Sequence, residues 1–203
     1  MSELPERARL SGVERRQQIL DVALELFGVG GYDAASMADI AAAAGVTKPV
    51  VYQHFVSKRA LFLEVLTDYG QRMVAAIEKA TADASSPRDQ VASGFEAFVQ
   101  FFADHPPAFR VLFSEASRAD AEFAAEVERV ERVVADRIAS LLTIDDLDDA
   151  DRRLVAHGII GMAEGAVRFW MECDAAPAPG ALDAERVAAM LTTVTWAGLR
   201  GER

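Results

Sequence analysis

Apolar residues recur at intervals of three and four along most of this chain, a period that predicts helices throughout and no convincing strand. From Val13 to Gly28 the positions Ile19, Ala23, Leu26 and Phe27 fall on one face of a first helix, which Gly28, Gly30 and Gly31 are expected to stop. Ser36 has the chemistry of an N-cap, and Asp39 stands where a capping box needs its second member. A second helix therefore begins after Ser36 and buries Met37, Ile40 and Ala41. Gly45 supplies a turn, Thr47 caps a third helix, and Pro49 sits in its first turn, where a missing N–H does no harm. Ser57 opens a longer fourth helix that carries Leu61, Phe62, Val65, Leu66 and Met73.

Ser85-Ser86-Pro87 interrupts the pattern. A fifth helix follows, with Phe95, Phe98, Val99 and Phe102 on one side, and His105-Pro106-Pro107 ends it. Phe109, Leu112 and Phe113 mark a sixth. A seventh runs from Asp120 to Leu142, with Glu and Arg at i, i+3 and i, i+4 spacing, such as Glu128 with Arg132. The acidic loop Asp145–Asp151 precedes an eighth helix reaching to about Cys173. The loop AAPAPGA separates it from a ninth, Asp183 to Leu199. The expected fold is all-α with about nine helices: a three-helix head over residues 1–56 and a larger helical body over residues 57–203.

Charge sharpens this division. The net charge of −11 argues against a nucleic-acid partner when taken over the whole chain. Residues 1–60, however, hold seven Lys/Arg and seven Asp/Glu, and no acidic residue occurs from Ile40 to Leu63. An acid-free stretch on two short helices and a turn is where a phosphate backbone can approach. Cys173 is the chain's single cysteine, so no intrachain disulfide forms. No apolar run is long enough for a membrane span and no leader is evident, which predicts a cytoplasmic protein without membrane contact.

The segment SMADIAAAAGVTKPVVYQHFVSKRAL meets the needs of a helix-turn-helix: a small residue inside the first helix (Ala41 or Ala42), a glycine turn, and a second helix free to enter a major groove. Thr47 and Lys48 begin that second helix, Tyr52, Gln53 and His54 follow on its exposed side, and Lys58 starts the next. The same pattern also fits an ordinary three-helix packing unit, with Tyr52 and Phe55 as core aromatics.

GVTKPVVYQHFVSKRALF, with ILDVALELFGVGGYDAASMADIAAAAGV upstream, resembles the signature of the TetR family of bacterial transcriptional regulators over about 50 residues. Carried over position by position, the resemblance implies that Ser36, Thr47, Lys48, Tyr52, His54 and Lys58 touch phosphates. It puts Lys48, Pro49, Val50 and Gln53 nearest the bases. Pro49 and Val50 depart from the small polar residues common there; they can meet thymine methyls but make no bidentate hydrogen bond, so no operator sequence is legible.

The resemblance also implies that the body houses dimerisation and a small-molecule pocket. Phe98, Phe102, Phe109, Phe113, Met162, Phe169 and Trp170 are the expected ligand contacts; singly each is as well explained as core. Arg168, Glu164 and His157 are the candidate polar groups. AHGIIGMAEGAVRFWMECDAAP, HPPAFRVLFSEA and KPVVYQHF are similar to actinobacterial members of the family that respond to long-chain fatty acyl-CoA. Gly158, Gly161 and Gly165, with Val187, Met190, Leu191, Val194 and Trp196, suggest a two-helix face that packs on its own copy or against a neighbour in the same chain.

The expectation is a ligand-responsive regulator, a repressor, binding a palindromic operator as a homodimer and sensing a hydrophobic effector. The competing reading is a helical lipid carrier or enzyme whose head does not bind DNA. The three histidines are scattered, no spacing suits zinc or calcium, and no nucleophile–base pair stands out. Neither a metal, nor a cofactor, nor enzymatic activity is expected.

Overall fold

The protein is described from a computed structural model over residues 10–142, 147–173 and 182–200. These residues are helical, with α1 (Gly12–Ala34), α2 (Met37–Ala43), α3 (Lys48–His54), α4 (Lys58–Ala82), α5 (Pro87–Asp104), α6 (Pro106–Leu112), α7 (Glu115–Ala119), α8 (Ala121–Leu141), α9 (Asp149–Cys173) and α10 (Ala184–Arg200). The expected helices are all present. The five-residue α7 is an addition, started by Ser114, whose hydroxyl accepts from the Ser117 amide.

The chain divides into two compact units, the first ending at Val65 and the second starting at Leu66. That division lies inside α4 and beyond the expected 56/57 boundary, which falls in the α3–α4 turn. The reason is packing: Phe62 meets the Phe27 ring edge-on at 5.0 Å and the Tyr32 ring at 4.9 Å, so the first turns of α4 complete the head's core.

In the first unit, α1 begins with a capping box in which Glu14 N donates to Ser11 Oγ (3.2 Å) and Ser11 N to Glu14 (2.8 Å). Its apolar stripe, including Ile19, Ala23 and Phe27, is buried. The expected stop at Gly28 does not occur, because Gly28 is buried within the helix and Gly30 continues it. Only Gly31 breaks the path, at φ 78°, where an L side chain would be strained. Ser36 and Asp39 form the expected capping box of α2. Gly45, at φ 65°, makes the turn into α3. Gln18 on α1 donates to the Ala44 carbonyl at 3.3 Å, tying that turn to the core.

The second unit takes the rest of α4 and α5–α10. Its centre includes a cluster of edge-packed rings, with Phe102 fully buried and 5.1–5.3 Å from Phe98, Phe101 and Phe109. Gly70 lets α4 lie close against α8, since a Cβ there would sit 2.6 Å from Val130 Cγ2. Within α8, Arg129 pairs with Glu126 three residues back at 2.7 Å, in place of the expected Glu128–Arg132 pair four residues apart. The acidic segment before α9 caps it, Asp148 Oδ1 accepting from the amides of Ala150 and Asp151 at 2.8 Å. Asp145, Asp146 and the AAPAPGA loop lie outside the described residues.

Candidate nucleic-acid interface and ligand cavity

Seven residues make α3, and burial sorts them by role. Val51 and, just after the helix, Phe55 are buried and anchor it to the head. Lys48, Pro49, Tyr52 and Gln53 face solvent, and Val50 and His54 are half-buried. Tyr52 is therefore not the core aromatic of an ordinary packing unit, being 44% exposed; Phe55 is, with the Arg16 guanidinium 4.8 Å over its ring. Thr47 is the N-cap residue, but its hydroxyl makes no capping hydrogen bond and stays exposed. That departs from the expected cap and leaves the hydroxyl available to a ligand.

Two of the expected phosphate contacts are already engaged. The Ser36 hydroxyl donates to Asp39 Oδ2 at 2.6 Å, and the Ser36 amide donates to the same carboxylate at 3.1 Å. These bonds hold the Asp39 carboxyl below the usual carboxylate range, so Ser36 sits beside a fixed negative charge. Lys58 turns its ammonium onto the end of α1, donating to the carbonyls of Tyr32 (2.9 Å), Ala35 (3.1 Å) and Asp33 (3.3 Å). An ammonium has three protons, and here three carbonyls receive them.

The second unit holds a cavity of about 340 Å³ among α4, α5, α8, α9 and α10. Met73, Ile77, Phe95, Ile138, Ile160 and Trp196 are representative of its wall, which is mostly apolar. The polar groups on it are Glu78, Thr81, Gln90, Glu131, Arg137 and Thr195. An apolar enclosure of this size with few polar groups is the form of a small-molecule site.

Residues 19–65 match the bacterial regulatory proteins of the tetR family, and residues 87–198 match the tetracyclin repressor-like C-terminal domain. The HTH-type transcriptional activator FasR of Mycolicibacterium smegmatis is 34% identical over 167 residues, covering 82% of this chain and 76% of FasR. This chain belongs to the TetR family. A TetR-like regulator from Rhodococcus sp. RHA1 superposes with a TM-score of 0.78 at 28% identity, covering 96% of this chain and all of that one. FadR from Bacillus subtilis in complex with stearoyl-CoA shares the fold at TM-score 0.76 and 18% identity, over 90% of this chain and 98% of that one. The family is one of transcriptional regulators rather than enzymes.

Within this TetR-family body, Phe98 and Phe113 stand on the cavity wall. The other expected ligand contacts do not line it. Phe102 and Phe109 are buried in the ring cluster. Trp170 is buried and donates to the Leu182 carbonyl at 2.8 Å. Phe169 is 60% exposed on the outside, and Met162 is half-buried off the wall. The expected polar groups lie elsewhere too: Glu164 is held by Arg118 and Arg168, each at 2.6 Å, and His157 is exposed. Sequence reasoning weighted aromatics, whereas the wall is largely built of aliphatic residues at helical spacing, and no sequence signal separates such residues from plain core.

Proposed function

We propose that this chain is a repressor that binds a palindromic operator as a homodimer and releases it when an elongated apolar effector, of the long-chain fatty acyl-CoA class, enters the cavity. The observation that carries the DNA half is α3: a helix anchored by Val51 and Phe55 that presents Thr47, Lys48, Tyr52 and Gln53 outward, inside a stretch free of acidic residues. Thr47, Lys48, Tyr52 and His54 take phosphates, and Lys48, Pro49, Val50 and Gln53 face base edges. Ser36 and Lys58 shape the surface that receives the backbone.

Two heads on successive major grooves need a two-fold dimer. The outer face of α9 and α10 suits one. Leu154, Phe169, Met190 and Val194 are each more than half exposed there, and a Cβ on Gly158, Gly161 or Gly165 would meet nothing within 4 Å. Those glycines therefore make no close contact with the described residues of their own chain, which supports a second copy as the partner.

The cavity supports the effector half, and the same fold carries stearoyl-CoA in FadR. α4 supplies both the head's core and the cavity wall, so an effector that displaces its wall residues acts on the heads. FasR is named an activator; which sign results depends on which head spacing the effector favours. Among the described residues no helix is long and apolar enough to cross a membrane. A DNA target places the protein in the cytoplasm.

The double variant Lys48→Ala with Tyr52→Ala tests the reading. Selective binding to upstream DNA, read by fluorescence polarisation at fixed salt, should vanish while acyl-CoA binding persists. Retained DNA binding, or joint loss of both activities in a folded variant, would sink this division of labour and favour a lipid carrier.

A further inference from the structure

Glu131 is out of place on the wall of the cavity. It lies on α8, half-buried, and shares the wall with Phe98, Phe113, Val134 and Ile160. Of the nearby acids, Glu126 holds Arg129 and Glu164 takes both Arg118 and Arg168, while Glu128 and the wall's Glu78 are exposed to solvent. Glu131 forms neither a hydrogen bond nor an ion pair among the described residues. Burial pushes its carboxyl above the ordinary range, and the charge on Glu164 adds to that. His157 and Arg118 pull it back in part, and Glu128 pushes it up slightly. Arg137 is the cation on this wall, and it lies at an exposed position six residues further along α8.

A half-buried carboxyl that no protein donor holds has lost part of its hydration, and a ligand can supply the missing donor. A ligand that brings its own carboxylate does the opposite, since two like charges in an apolar enclosure cannot both stay ionised. We infer that Glu131 sets the specificity of the cavity: it rejects an apolar chain whose buried head is a free carboxylate and admits one whose buried head is uncharged, most tightly where that head donates a hydrogen bond. This inference rests on the cavity being the effector site.

Dodecanoate and dodecanamide differ only in that head and make an isosteric pair. Each is titrated against the full-length protein carrying a neutral fluorescent probe, N-phenylnaphthylamine, near neutral pH. Dodecanamide should displace the probe at least about tenfold more tightly than dodecanoate. Glu131→Gln keeps the shape of the side chain and should shrink that ratio to within about threefold, chiefly by improving dodecanoate. Equal affinities in the native protein, or an unchanged ratio in the variant, would overturn the role of Glu131. The native-protein ratio needs no variant, so a folding defect in Glu131→Gln leaves the inference testable. If neither ligand displaces the probe from either protein, the effector-site reading itself fails, a result distinct from equal binding.

Discussion

The ammonium of Lys58 lies 2.9 Å from the carbonyl oxygen of Tyr32 and 4.4 Å over the Tyr32 ring. With the carbonyls of Asp33 and Ala35 completing its shell, Lys58 acts as a cationic cap on the end of α1, immediately before the N-cap of α2. A phosphate-binding lysine and a lysine that holds the head together predict different salt behaviour. Lys58→Ala should weaken operator binding and lower the melting temperature, yet leave the slope of log K against log salt unchanged. Lys48→Ala, which removes an exposed cation at the start of α3 in each protomer, should reduce that slope by about 0.9 per protomer, about 1.8 for the dimer. Lys58→Arg should restore part of the stability. A slope reduced by Lys58→Ala as much as by Lys48→Ala would return Lys58 to the phosphate contacts.

Gly70 faces Val130 with no room for a methyl group, the missing Cβ being 2.6 Å from Val130 Cγ2. Valine is stiff at χ1, so it yields poorly. Gly70→Ala should therefore destabilise the protein by about 1–3 kcal/mol, against the usual helix preference for alanine. Pairing it with Val130→Ala should recover part of the loss. Denaturant melts of the two single variants and the double variant check this. A stabilised Gly70→Ala would show that α4 and α8 do not approach as closely as described.

The exposed stripe on α9 and α10 makes a separate claim. Phe169→Asp puts a charge on the proposed dimer face without touching the described core, since Phe169 is 60% exposed. Sedimentation should show a monomer at concentrations where the native chain is a dimer, with circular dichroism unchanged. Operator affinity should fall by at least about a hundredfold, because two half-sites no longer bind as one unit. A folded Phe169→Asp dimer would put the interface elsewhere.

The head was legible from sequence because local chemistry fixes it. Ser36 with Asp39, and Gly45, each have a short-range reason to be where they are. What local chemistry did not show was the use of Lys58, whose partners lie 23–26 residues upstream. In the body, helix boundaries were legible from Ser86, the His105-Pro106-Pro107 break and Asp120. The cavity wall was not. Phe98 and Phe102 share one face of α5, yet one meets the cavity and the other fills the ring cluster. Only the packing of the helices around α5 separates them. Nothing in the sequence separates Glu131 from the other acids on α8, and its burial depends on helices distant in sequence.

Glu131 also predicts a pH dependence of stability, and its sign is opposite to that of the capping carboxylates. Its folded-state affinity for a proton is raised, by burial first and by the Glu164 charge second. The folded protein therefore binds this proton more tightly than the unfolded chain, and ionising Glu131 costs stability. That cost is absent at low pH, where both states are protonated, and grows as pH rises through the ordinary glutamate range and beyond. Glu131→Gln removes it. The variant should melt at a higher temperature than the native protein near neutral pH, and the gain should fade as pH drops towards about 4. For Asp39, whose carboxyl is held low by Ser36, the sign reverses: its contribution is present at neutral pH and is lost as pH falls below the ordinary aspartate range. Asp39→Asn should thus lower the melting temperature near neutral pH and make less difference in acid. Differential scanning calorimetry of both variants across this range separates the two signs. A Glu131→Gln protein less stable than the native chain at neutral pH would mean that the carboxylate has a partner in the folded state.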